Sequence, residues 1–172
     1  MALPAYYLEY ATSVSAREAI EFFAGRLGAD IVDEGDHEPD RALEETALRC
    51  VRGDLSVYAY EDPPQEFSDY IVALGLDIEK ILVVSFDPEK QLTRSRSHLA
   101  MDAEIVDAVK HFVTANEGTG YFTMDFTFML GDFTGDRPAF DVSLMERSDF
   151  NAEGDFDSIL SDVEVRPLEK LE

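Results

Sequence analysis

The run Asp149-x-Asn151-x-Glu153-Gly154-Asp155-Phe156-Asp157 is the stretch of this chain whose spacing comes nearest to metal chemistry. Side-chain oxygens stand at the first, third, fifth and ninth places of a calcium loop, with glycine at the sixth, an order that can wrap a hard cation. The twelfth place is Leu160, where such a loop needs a glutamate giving two oxygens, and the residues before Asp149 alternate like a strand rather than an entering helix. The run therefore reads as an acidic turn, and no resident metal is expected. His37, His98 and His111 stand singly, without ligand spacing and without a serine in a nucleophile elbow. Gly118-Thr119-Gly120 lacks the lysine and following helix of a phosphate-binding loop. Arg52-Gly53-Asp54 has the composition of a tight turn between two alternating runs and is read as that rather than as an adhesion motif. With 37 carboxylates in the chain, no catalytic pair stands out from the rest. Neither an enzyme nor an organic cofactor is expected.

The elements that would position these residues follow from periodicity. Tyr6 to Ala11 alternates as a strand, and Ser15-Ala16-Arg17-Glu18 is a capping box opening a helix with an apolar stripe of Ala19, Ile20, Phe23, Ala24 and Leu27. Gly28 supplies its stop. Asp30 to Glu45 carries eight carboxylates and one arginine and reads as an exposed loop. Thr46 to Val51 and Leu55 to Tyr60 form a hairpin, and Gln65 to Leu74 a short helix with Phe67, Tyr70, Ile71 and Leu74 inward. Lys80 to Phe86 is apolar on both faces, as a central strand is. Asp87 to Leu99 reads as a loop holding a basic island of Lys90, Arg94, Arg96 and His98. A third helix is expected from about Asp102 to Asn116, followed by strands Phe122 to Leu130 and Phe140 to Leu144.

These elements imply an α+β fold: a mainly antiparallel sheet of about six strands with two principal helices on one face, in the order β-α-β-β twice. Residues 1–146 would form the domain and 147–172 an acidic tail, with apolar residues such as Ile159, Leu160 and Val165 sufficient to dock it. The lone Cys50 falls in the alternation of a strand, reads as a buried structural thiol and suits a reducing compartment. The opening residues lack a secretory pattern and no run of roughly 18 apolar residues occurs, so a cytoplasmic location is expected.

Charge narrows the partner. The 172 residues carry a net charge of -23, from 37 Asp and Glu against 14 Lys and Arg, on a chain that is 45% hydrophobic with 12 Phe and 7 Tyr. Such a surface repels nucleic acid, anionic membranes and copies of itself, which favours a monomer, and it steers basic proteins into encounter. Two acidic stretches are candidates for that contact: Asp33, Glu34, Asp36, Glu38 and Asp40 after the first helix, and Asp132, Asp136 and Asp141 at the last hairpin. Other readings of the same charge are an acidic mimic of DNA, a calcium-responsive module, or an enzyme without a recognisable motif.

Several segments, in order, resemble the immunity proteins paired with polymorphic toxins in bacterial kin discrimination, especially the swarming-inhibition (Sit-type) family of myxobacteria. They are Tyr7-Leu8-Glu9-Tyr10-Ala11-Thr12-Ser13-Val14-Ser15 leading into Glu18 to Leu27, Leu76 with Ile81 to Pro88, and Ile105 to Phe112 followed by Tyr121 to Leu130. The resemblance implies a cytoplasmic antitoxin that binds a cognate, basic toxin domain such as a nuclease. It rests on structural positions and carries no functional residue across.

Overall fold

The structure, a computed structural model, describes residues 4–32, 47–88, 96–146 and 154–168, with side chains described throughout these except over 96–100. One nine-stranded sheet organises them: β1 (Tyr6–Ala11), β2 (Asp30–Val32), β3 (Leu48–Arg52), β4 (Leu55–Asp62), β5 (Ile81–Pro88), β6 (Thr119–Met124), β7 (Phe128–Asp132), β8 (Ala139–Asp141) and β9 (Glu164–Arg166). Their spatial order is β2-β3-β4-β5-β1-β6-β7-β8-β9, antiparallel throughout except for the β8–β9 pair. The α+β fold and antiparallel sheet are as expected, with more strands than the alternating runs alone indicate. The doubling is in fact β-α-β-β-β, and its halves are placed differently. After the first helix the chain goes to the sheet edge and works inward, whereas after the long helix it starts at the centre and works outward.

Helix α1 (Ala16–Leu27) begins where Ser15 Oγ accepts from the Glu18 amide at 3.1 Å and ends at Gly28, whose φ of 68° turns its amide onto Ala24 O. The long helix α3 (Arg96–Ala115) starts before the expected Asp102, so Arg96 and His98 of the basic island lie in a helix rather than a loop, while Lys90 and Arg94 fall outside the described residues. Both helices pack on the same face of the sheet. Phe23 and Phe112 meet with ring centroids 5.0 Å apart, above Phe86, Leu8 and Phe122 from the strands below. Arg52 ties the β3–β4 turn to this layer, donating to Asp54 at 2.6 Å, Glu104 of α3 at 2.5 Å and Leu27 O at 3.1 Å. The Arg-Gly-Asp triplet is thus an internal brace.

Two expectations about the C-terminal half are corrected. The run Phe122 to Leu130 is not one strand but β6 and β7, folded back at Asp125 and Phe126. The last alternating run keeps only three residues as β8, because the Asp141 carboxylate accepts from both the Ser143 amide and hydroxyl and starts the one-turn helix α4 (Ser143–Glu146), where Leu144 is buried. The C-terminal stretch docks as a helix and a strand. Phe156 of α5 (Asp155–Ile159) and Leu160 enter the core, β9 closes the sheet edge, and buried Lys110 of α3 donates to Ile159 O at 2.7 Å and Asp162 at 2.8 Å. That lysine holds the Asp162 carboxyl below its usual range. Of the calcium-like run, Asp149, Asn151 and Glu153 fall outside the described residues, and the twelfth place, Leu160, is core.

Candidate functional site

The strand registers place polar and aromatic residues in rows on the sheet face opposite α1 and α3. One row reads Arg49, Tyr58, Ser85, Tyr7 and Thr123; its neighbour reads Tyr60, Val83, Glu9, Tyr121 and Asp132. A short segment with one 3₁₀ turn (Pro64–Glu66) and helix α2 (Asp69–Val72) covers part of the second row, with Ile71 on Ile81 and Val83 and with Phe67, Tyr70 and Leu74 inward as expected.

That cover is fastened to Glu9, a carboxylate only 6% exposed. It accepts from Ser68 Oγ at 2.7 Å and from the Tyr70 hydroxyl, so its buried oxygens are met by two donors from the covering segment. Burial and the Glu9 contact push the Tyr70 hydroxyl upward. At the rim, burial and the adjoining Glu66 and Glu9 push Asp62 from 3.8 up to about 6. A raised carboxyl keeps its proton in the fold at pH values where the unfolded chain has lost it, so its stability contribution is fully present below about 3.8 and is lost as pH rises through about 6. Asp62→Asn, which cannot ionise, is therefore expected to gain stability relative to wild type between pH 4 and pH 7. Paired urea titrations would show it, and a wild-type to variant gap that stays constant with pH would count against it.

The other part of this face is aromatic and exposed. Phe126, 49% exposed, lies on Tyr7 with ring centroids 3.7 Å apart and planes inclined by 21°. It sits in the β6–β7 turn, where Asp125 and Phe126 take φ of 52° and 55°. Left-handed backbone in non-glycine residues costs about 1–3 kcal/mol each and survives only where the surroundings enforce it. Here the Thr127 amide donates to Met124 O at 3.1 Å, the Asp125 amide to Ala5 O at 2.9 Å, and the Ala5 amide to Asp125 Oδ1 at 2.9 Å. Partial burial together with Asp87 and Asp125 pushes the Tyr7 hydroxyl above its ordinary value. Along the same row the Arg49 guanidinium lies over the Tyr58 ring, 5.5 Å from its centroid.

A separate cleft of about 590 Å³ lies at the C-terminal end of α3, between Tyr10, Asn116, Glu117, Phe133 and Asp136. Its floor is fixed: the Tyr10 hydroxyl donates to Asn116 O at 2.6 Å. Asp136 is exposed at its mouth. The other two carboxylates of that hairpin are used within the fold. Asp132 accepts from the Thr134 amide at 2.9 Å and from Arg166 at 3.4 Å, and Asp141 binds Ser143 and the Leu168 amide at 2.8 Å. Asp33, Glu34, Asp36, Glu38 and Asp40 lie outside the described residues.

Of the isolated chemical residues, His111 Nδ1 lies 2.8 Å from Asp107 O beside Arg26, a structural setting, and Cys50 is buried with its thiol pushed up to about 11. Among the described residues no group of three or more His, Cys, Asp or Glu is placed to hold a metal. No described helix is long and apolar enough to cross a membrane. The fold is that of an α+β protein built on one mainly antiparallel sheet. No family model, curated protein or solved structure matches the chain.

Proposed function

We propose that this protein is an immunity-type binding protein: a cytoplasmic monomer that neutralises a cognate basic toxin domain, such as a nuclease, by stoichiometric binding rather than by catalysis. The observation that carries the reading is the net charge of -23 on a chain with an aromatic-rich, extensive core. Several cations are already paired with carboxylates of the same chain: Arg26 with Asp107, Arg52 with Asp54 and Glu104, Lys80 with Glu61, Lys110 with Asp162, and Arg166 with Asp132. Such pairs leave the net charge of -23 unchanged, and this excess sets the outward field, which accelerates encounter with a basic partner and disfavours nucleic acid or anionic membrane. Asp136, and the stretch containing Asp33, Glu34, Asp36, Glu38 and Asp40, are the acidic contacts of this reading.

The test is association with the basic product of a neighbouring gene, followed by stopped flow. Raising salt from about 0.05 to 0.5 M shortens the Debye length from about 14 to about 4 Å. The association rate is expected to fall by about tenfold or more, and reversing the five loop charges to lysine is expected to lower it at low salt in the same way. A rate indifferent to both changes would remove charge steering as the basis of the function.

A further inference from the structure

The β6–β7 turn holds a large aromatic ring outside the core in a backbone conformation that glycine would adopt more easily. Asp125 and Phe126 both have positive φ, and the Phe126 ring is exposed rather than buried beneath a helix. Stacking on Tyr7 helps hold the turn and still leaves the Phe126 ring 49% exposed, an outward-facing aromatic surface of the kind a cation of planar shape needs. The ring is braced from behind by Tyr7; Asp125, which also accepts from the Ala5 amide, directly precedes Phe126, and Asp87 stands two residues along β5 from Ser85, the register partner of Tyr7, both carboxylates being exposed. The same sheet face already displays the chemistry, since Arg49 lies over Tyr58.

We propose that the Phe126–Tyr7 stack is a platform for an arginine side chain of the basic partner, its guanidinium flat on the outward face of Phe126 with Asp87 and Asp125 as counter-charges. This inference rests on the reading of the chain as a binder of a basic protein, and adds where one contact falls and which side chain makes it. Arginine is favoured over lysine because its planar, weakly hydrated guanidinium stacks on a ring while its edge still donates to carboxylates, whereas an ammonium keeps its water.

Fluorescently labelled deca-arginine and deca-lysine peptides, equal in charge, separate stacking from charge attraction. By fluorescence anisotropy the wild type is expected to bind deca-arginine about 2- to 5-fold more tightly than deca-lysine, the range of an exposed cation–π contact. Phe126→Leu, which keeps apolar bulk without a π face, is expected to bind the two peptides equally, and Phe126→Tyr to keep the preference. A thermal scan checks that all three proteins are folded. Equal binding of both peptides by the wild type, weakened by salt, would overturn the platform and leave the basic-partner reading standing. A preference that survives in Phe126→Leu would also overturn it. Binding of neither peptide would count against both.

Discussion

Replacing Phe112 with alanine is expected to lower stability by about 3–5 kcal/mol. The ring is 1% exposed and stands where the two layers meet, touching Tyr10 of β1 and both Phe22 and Phe23 of α1. Removing it deletes apolar area and leaves a void that its neighbours cannot close. Tyr10 is pinned by its hydroxyl to Asn116 O, and Phe23 is wedged against Phe86. Urea unfolding measures the loss as a lower midpoint at unchanged slope. Val72→Ala is the comparison, because that side chain is exposed and is expected to change stability by less than about 0.5 kcal/mol. A Phe112→Ala loss as small as that of Val72→Ala would show that α3 does not pack as described.

Gly120→Ala is expected to be comparably damaging, by about 3 kcal/mol or more, although it adds a single methyl group. Gly120 pairs with Tyr10 across β1 and β6, and a Cβ there would lie 1.9 Å from Glu9 O and 2.9 Å from Tyr10 Cα. Both obstacles are backbone atoms of the central strand, which no rotamer change can move aside. Alanine narrows the unfolded ensemble and returns about 0.4–1 kcal/mol, too little to offset the overlap. Gly25, inside α1 with nothing within 4 Å of its would-be Cβ, supplies the opposite sign. Gly25→Ala is expected to stabilise by about 0.5–1 kcal/mol. Should both variants shift the unfolding midpoint in the same direction, the close approach at β6 would be wrong. Gly118 is similar to Gly120, with the Tyr10 ring 2.5 Å from a would-be Cβ, so these glycines admit the close approach of neighbouring chain and side chain.

The parts of the fold legible in sequence are those whose causes are local. Ser15, Glu18 and Gly28 mark both ends of α1 through contacts a few residues long, and the stripe from Ala19 to Leu27 is buried as its spacing predicts. Phe67, Tyr70, Ile71 and Leu74 also face inward as expected. What escapes detection is set by distant chain. The alternation of Phe122, Met124, Phe126, Phe128 and Leu130 continues through a reversal without a glycine, asparagine or proline to announce it. The reversal is held by Ala5 and Tyr7, far away in sequence. Strands β2 and β9 have three residues each, too few for a period, and owe their existence to β3 and β8. Among the candidate site residues, the sequence could point to Asp132 and Asp141 as acidic but not to their internal bonds. Nor could it single out Glu9 and Asp62 among 37 carboxylates, because their burial depends on which strands become neighbours.

The position of β1 between β5 and β6 also governs how the molecule is assembled. Tyr6 finds its two strand partners at Phe86 and Met124, and no hairpin joins β1 to either neighbour. The central strand must therefore wait, exposed along both edges, until chain from far downstream has been synthesised and brought back, with the entropy of closing those long loops unrecovered until then. Such non-local order slows folding toward the ~millisecond-to-second range of sheet proteins and leaves Leu8 and Tyr10 uncovered meanwhile. During that interval, mutual repulsion among so many carboxylates keeps nascent copies apart while their central strands are still bare.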